Sequence, residues 1–270
     1  MKNKLNSYPF IKMDLKNWFL EHKVEKYEQI GKSKVYCLFT KSSTFYLKKI
    51  DSIREFKIME QLSKLSLPTF HQGILFKSNF SFKKYISNDS AKNCYKEHLY
   101  ILSEKLKGEN LYCSLDLPVQ SFKNILDTII FSLRVAWETL GFVHMDLHLG
   151  NIYIQKIDQP IVLETIWKSK CLHPILDIPN KMIVKDYLPV IIDFDMSVTK
   201  LYSTSYIHAN VTQDIWHMLG ILSLYLKNEK GKLVLDYIEH FLDRFEFQEK
   251  KEKFANEWFN TVPELVNLLH

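Results

Sequence analysis

The feature that most constrains this chain is a pair of short apolar runs, each ending in polar groups that a packed core would otherwise exclude. The first is Phe142-Val-His-Met-Asp-Leu-His-Leu-Gly-Asn-Ile-Tyr-Ile154. The second is Val190-Ile-Ile-Asp-Phe-Asp195, in which Asp193 lies 42 positions beyond Asn151. Both apolar flanks read as buried strands, so the acids and the amide would sit at strand edges. Phosphoryl transfer needs a set of this kind: one carboxylate to orient and deprotonate a hydroxyl, and an amide with a second carboxylate to hold a divalent cation. Any one Asx residue routinely closes a turn. Three of them in a strand–loop–strand context carry more information than a turn does.

Composition narrows the classes. Of 270 residues, 46% are hydrophobic and 25% charged, which fits a globular chain and not a disordered one. The length suits a two-lobed enzyme. The net charge of +5 comes almost wholly from lysine, with Arg only at 54, 134 and 244. Lysine excess without an arginine cluster does not point to nucleic acid. Cys37, Cys94, Cys113 and Cys171 form no CxxC pair, so free thiols in a reducing compartment are expected. The first twenty residues hold no uninterrupted apolar core, and no run of eighteen apolar residues occurs anywhere. No membrane span is therefore expected, and the reading is cytoplasmic, in the protein's own cell or in a host cell.

Along the chain, residues 10–28 read as an amphipathic helix through Phe10, Leu15, Trp18 and Phe19. Three short strands follow at Tyr27–Ile30, Val35–Thr40 and Thr44–Ile50, with turns at Gly31–Lys34 and Lys41–Ser43. A helix is expected from Ser52 to Lys64, with Ser52 as its cap and Pro68 beyond its end. Gly73–Lys77 and His98–Glu104 read as two more strands around a polar, lysine-rich loop or added hairpin, and Gly108 closes that region. The rest is mostly helical, at about 120–140, 212–227, 232–248 and 251–268. The fold class is thus α+β and bilobal. An N-lobe over 1–105 carries a helix, a five-stranded antiparallel sheet and one long helix, and a reduced C-lobe over 106–270 is mostly helical, with an insert at 156–189.

The sequence HMDLHLGN followed by IIDF resembles the catalytic and metal-binding loops of the protein-kinase-like superfamily. It is most similar to haspin-like and divergent viral Ser/Thr protein kinases, and also to aminoglycoside phosphotransferases. Those groups share His at the position of His148, where ordinary protein kinases use Lys. The resemblance implies a bilobal kinase fold, ATP with Mg²⁺ or Mn²⁺, and transfer of the γ-phosphate to a protein hydroxyl. It implies Asp146 as catalytic base, His148 in the catalytic set, and Asn151 and Asp193 as metal ligands. His144 would be structural, and Phe194 would pack against the long helix of the N-lobe.

The N-lobe carries matching parts. Phe45-Tyr-Leu-Lys-Lys-Ile50 resembles the third kinase strand, so Lys48 would reach the phosphates and Glu55, seven residues on, would pair with it. Lys49 is the open alternative, since strand alternation turns only one of the two to the nucleotide face. Tyr100–Gly108 resembles a kinase hinge in which Glu104 and Leu106 offer backbone groups to adenine beside Ser103. Ile30, Gly31 and Val35 would form the nucleotide-covering turn. Asp214-Ile-Trp-His-Met-Leu-Gly220 is similar to the central C-lobe helix motif, whose Asp accepts hydrogen bonds from the catalytic-loop backbone. Alone, it would read as a helix N-cap.

The chain also departs from the pattern. Only Gly31 remains of the glycine loop. Tyr46 replaces the small residue under adenine, either stacking on the base or filling its place. Met145 replaces the Arg that would receive an activation-loop phosphate, Asp195 replaces the Gly after Asp-Phe, and no Ala-Pro-Glu follows. The insert holds four of the eight prolines, and could be a lid, a partner surface or a substrate platform. Two alternatives stay open beside a protein kinase: a small-molecule kinase and a pseudokinase binding module. About thirty residues separate the hinge from His144 and about fifty follow Asp214, little for extra helices that would enclose a small acceptor. This favours a protein substrate docking from outside; no oligomeric state is implied.

Overall fold

The apolar runs Val35–Phe39 and Phe45–Leu47 set the first architectural unit, because the sheet they build presents apolar side chains that must be covered. The computed structural model describes residues 14–31, 34–80, 97–164, 181–201 and 211–244. The chain divides into two units, Met1–Lys107 and Gly108–His270, two residues later than the boundary read from sequence.

The first unit opens with α1 (Leu15–His22), then β1 (Lys26–Gln29), β2 (Val35–Phe39), β3 (Thr44–Ile50), α2 (Arg54–Ser63), β4 (Ile74–Ser78) and β5 (His98–Glu104). The strands form one antiparallel sheet in the order β1-β2-β3-β5-β4. Tyr36, Leu38, Leu47, Tyr100 and Leu102 point to one face and are buried with Leu15, Trp18 and Phe19 of α1. The helix is shorter than its sequence pattern. Lys23 turns left-handed at φ 47°, and Lys26 already pairs with Phe39. The expected start at Phe10 lies outside the described residues. Ser52 Oγ accepts the Arg54 N–H at 3.3 Å, just ahead of α2.

The second unit begins with β6 (Glu109–Asn110), a 3-10 turn (Leu111–Ser114), α3 (Val119–Leu140) and a second 3-10 turn (Leu149–Asn151). It continues with β7 (Ile152–Lys156), β8 (Ile161–Glu164), β9 (Lys181–Val184), β10 (Tyr187–Ile191), α4 (Val211–Tyr225) and α5 (Asn228–Arg244). Phe122, Ile125, Leu126, Ile129, Leu133 and Ala136 form a fully buried stripe along α3, the spacing of a single helical face. The strands make a β10-β7-β6 sheet and a separate β8–β9 hairpin.

Two expectations need correction. The 156–189 stretch is not wholly an insert: Lys156 ends β7, Tyr187–Pro189 begin β10, and the described part between them carries the hairpin. Gly108 does not close β5, which ends at Glu104. It sits at φ 114°, where a Cβ would lie 2.1 Å from the Ile154 carbonyl oxygen, so the chain passes hard against β7 there. The C-terminal helix expected at 251–268, the helix end beyond Arg244 and most of the 77–97 loop lie outside the described residues.

Candidate active site

In the first unit, register decides which lysine meets the acid. Lys48 opposes Val35 on β2 and Ile101 on β5, and Tyr46 opposes Cys37 and Ser103. Tyr46 and Lys48 therefore share the face opposite the α1-covered one, and Lys49, opposite Tyr100, does not. Glu55 lies in the first turn of α2, where the helix dipole favours a carboxylate. Lys48 Nζ donates to Glu55 Oε1 at 2.9 Å, with the lysine side chain 22% exposed and the glutamate 6%. A pair this buried is held geometrically, because losing either partner strands a charge away from water.

At the end of β5, the Lys105 N–H bonds the Thr44 carbonyl at 2.9 Å. Strand alternation then turns the backbone groups of Glu104 away from β3, and Leu106 follows two residues later. At the first hairpin, the Ile30 N–H bonds the Val35 carbonyl at 3.0 Å and Gly31 is left-handed at φ 56°. Residues 32–33 of that turn lie outside the described residues.

In the second unit the β7–β10 ladder does the positioning. Ile152 opposes Ile191, and one step further the Ile192 N–H bonds the Asn151 carbonyl at 3.0 Å. Asn151 and Asp193 thus emerge from neighbouring strands within one residue of register. Asn151 Nδ2 donates to the Asp146 carbonyl at 3.0 Å, which commits the amide nitrogen to the protein and turns Oδ1 away from that bond. Asp146 is half-buried, Asn151 buried, and Asp193 exposed at a left-handed φ of 63°.

His144 ties these strands together. Its Nε2 donates to the Ile192 carbonyl at 2.9 Å, one residue before Asp193. The bond fixes the Nε2–H tautomer. Its ring lies 5.7 Å from that of Phe194 and 6.3 Å from Phe142, and all three residues are buried. Burial pulls the imidazole below its ordinary pKa, with the Ile192 carbonyl opposing. Val143 and Val198 exchange both backbone hydrogen bonds, at 3.0 and 2.9 Å, and Ser197 Oγ donates to the His144 carbonyl at 3.1 Å.

Asp214, in the first turn of α4, completes the frame. Its two oxygens accept the His144 N–H at 2.6 Å and the Met145 N–H at 2.8 Å. Burial pushes its carboxyl up to about 7, and the two N–H donors act in the opposite direction. Met145 is left-handed at φ 68°, which a long side chain seldom adopts. His148 accepts the Gly150 N–H on Nδ1 at 3.1 Å, and its Nε2 lies 4.0 Å from Asp146 Oδ2. The sequence offered no sign of the His148–Gly150 bond or of the His144–Ile192 bond, since each depends on the folded turn.

No protein-family model matches the chain. A 133-residue match, 45% of the chain, is 30% identical to uncharacterized protein 179R of Invertebrate iridescent virus 6, of whose length it spans 10%. The solved structure of WaaP in complex with acyl carrier protein superposes with a TM-score of 0.53 at 10% identity, covering 92% of each chain. The fold is kinase-like, with an antiparallel sheet in the N-terminal region followed by helices. Among the described residues, no helix is long and apolar enough to cross a membrane.

Proposed function

We propose that this chain is an ATP-dependent phosphotransferase, a divergent Ser/Thr protein kinase that moves the ATP γ-phosphate to a protein hydroxyl. One observation carries the reading: a half-exposed Asp146 stands on a loop whose backbone is tied to Asn151, and Asn151 is one ladder step from Asp193. Asp146 is the base that accepts the hydroxyl proton. Lys48, steadied by Glu55, holds the phosphates as a point charge. Tyr46 and the backbone of Glu104 and Leu106 bind the adenine, under the Ile30–Val35 turn.

The donor set fits Mg²⁺ or Mn²⁺. Asn151 Oδ1 and the Asp193 carboxylate are hard oxygen ligands, and the Asn151 amide is already oriented by its bond to Asp146. A bound cation would supply charge neutralisation at the phosphates.

A protein acceptor is favoured because only one 3-10 turn and α3 separate β6 from the catalytic loop, leaving no inserted helices there to enclose a small substrate. The exposed Asp193 and the Lys48–Glu55 pair favour an enzyme over a pseudokinase. We further place the protein in the cytoplasm of its own cell or a host. The test is transfer of radiolabel from Mg-ATP to generic protein acceptors, to aminoglycosides, or with no acceptor, with Asp193→Ala as control. Transfer to protein that falls about 100-fold or more in the variant supports the reading. Transfer to the aminoglycoside alone, or equal transfer by both proteins, overturns it.

A further inference from the structure

The His148 ring is fixed at one nitrogen and aimed with the other. Its Nδ1 accepts the Gly150 N–H at 3.1 Å, so this nitrogen carries no proton and the neutral ring carries its hydrogen on Nε2. That Nε2 lies 4.0 Å from Asp146 Oδ2, with both side chains about half exposed. A Cβ at Gly150 would stand 2.9 Å from His148 Cε1 and 3.0 Å from Nδ1, so a side chain there would require the ring to shift. The 3-10 turn at Leu149–Asn151 thereby links two jobs, presenting Asn151 and orienting His148.

We propose that His148 is a positioning residue: a neutral Nε2–H donor, locked in that tautomer by the Gly150 backbone, that orients the Asp146 carboxylate toward the acceptor hydroxyl. This rests on the reading of Asp146 as the base. A separation of 4.0 Å closes to a hydrogen bond by small side-chain rotations, and catalytic hydrogen bonds commonly shorten only when substrate is bound. A neutral donor has a specific merit here. It orients the carboxylate without adding a cation that would oppose proton uptake by Asp146.

The competing role is a turn cap, in which only the Nδ1 acceptor matters. Two substitutions separate the roles, because Asn reproduces the Nδ1 position and Gln reproduces Nε2. Turnover of Mg-ATP with the generic protein acceptor is measured for wild type, His148→Asn, His148→Gln and Gly150→Ala, with denaturation midpoints alongside. The proposal expects kcat to fall at least tenfold more in His148→Asn than in His148→Gln, with KM for ATP little changed, although His148→Asn is the more stable protein. The reverse order in kcat makes His148 a cap and overturns the proposal.

A second measurement needs no turnover. In protein labelled with ¹⁵N-histidine, the His148 resonances, assigned by their loss in His148→Asn, should show a protonated Nε2 and a bare Nδ1, and Asp146→Asn should shift the Nε2 signal. An Nδ1–H tautomer, or an Nε2 signal indifferent to Asp146→Asn, overturns the proposal. Absence of turnover in wild type with both resonance results as expected would sink the kinase reading and leave the His148–Asp146 orientation standing.

Discussion

The Asp214 carboxylate holds the backbone N–H of Met145 at 2.8 Å, in a residue whose φ is 68°. A left-handed backbone at a long side chain persists only where its surroundings over-determine it. Asp214 does this with both oxygens, since the other takes the His144 N–H. Asp214→Asn can accept only one of these bonds and sets its own N–H₂ against the second donor. The variant should unfold about 1–3 kcal/mol earlier, the cost of a buried donor left unmade, and should lose turnover without losing ATP affinity. Chemical denaturation with nucleotide titration checks this. A variant as stable as wild type would remove Asp214 from the support of the loop.

Asp146→Asn should depress kcat far more than it weakens Mg-ATP binding. The side chain stands apart from the Asn151 amide, which bonds the Asp146 backbone carbonyl and not its carboxylate, so the substitution leaves that frame intact. Removing a group that acts chiefly in the transition state lowers kcat and kcat/KM together. Equal losses of binding and rate would make Asp146 a turn residue.

Tyr46 shares its sheet face with Lys48, two residues on. If the ring stacks on adenine, Tyr46→Ala should weaken ATP by about 1–3 kcal/mol, the scale of base–aromatic stacking. Isothermal titration of Mg-ATP into both proteins measures it. Tighter binding by the alanine variant would mean the ring fills the base's place and would favour a pseudokinase.

His144 gives a pH prediction. Its Nδ1 is buried and has no hydrogen-bond partner among the described residues, and burial holds the folded pKa below the unfolded value near 6.5. The unfolded chain therefore binds more protons in the window below that pH. The stability contributed by neutral His144 is whole above about 6.5 and is lost as pH falls toward the folded pKa. His71, drawn down to about 4 by burial, acts in the same sense, and Asp214, pushed up to about 7, in the opposite one. The readout is thus a difference. The advantage of wild type over His144→Gln in denaturant midpoint should shrink from pH 7.5 to pH 5, and a constant advantage would contradict the buried neutral tautomer.

Thr44–Ile50 and His98–Glu104 were legible as strands because each is a short run rich in apolar and aromatic residues, and both strands are found at those residues. The pairing of Lys48 with Glu55 was legible only through the resemblance of Phe45–Ile50 and the segment opening at Glu55 to a kinase strand and helix, and the choice of Lys48 over Lys49 came from the folded register. The end of α1 was not legible, because Lys23 leaves the helix by a left-handed turn that its residue type does not signal. The β8–β9 hairpin was missed because Ile161–Glu164 and Lys181–Val184 are each four residues long and lie far apart in sequence. The ring contacts of His144 and His148 are set by backbone groups, Ile192 and Gly150, that a sequence presents identically at every position.

The packing of α1 bears on how the first unit can be cut. Leu15, Trp18 and Phe19 are the lid over the apolar face made by Tyr36, Leu38, Leu47, Tyr100 and Leu102. A fragment begun at β1 would keep every strand of the sheet and bare that face to water as one continuous greasy surface. Such a fragment would be prone to self-association, so a trimmed form for binding work should retain residues from Asp14 onward.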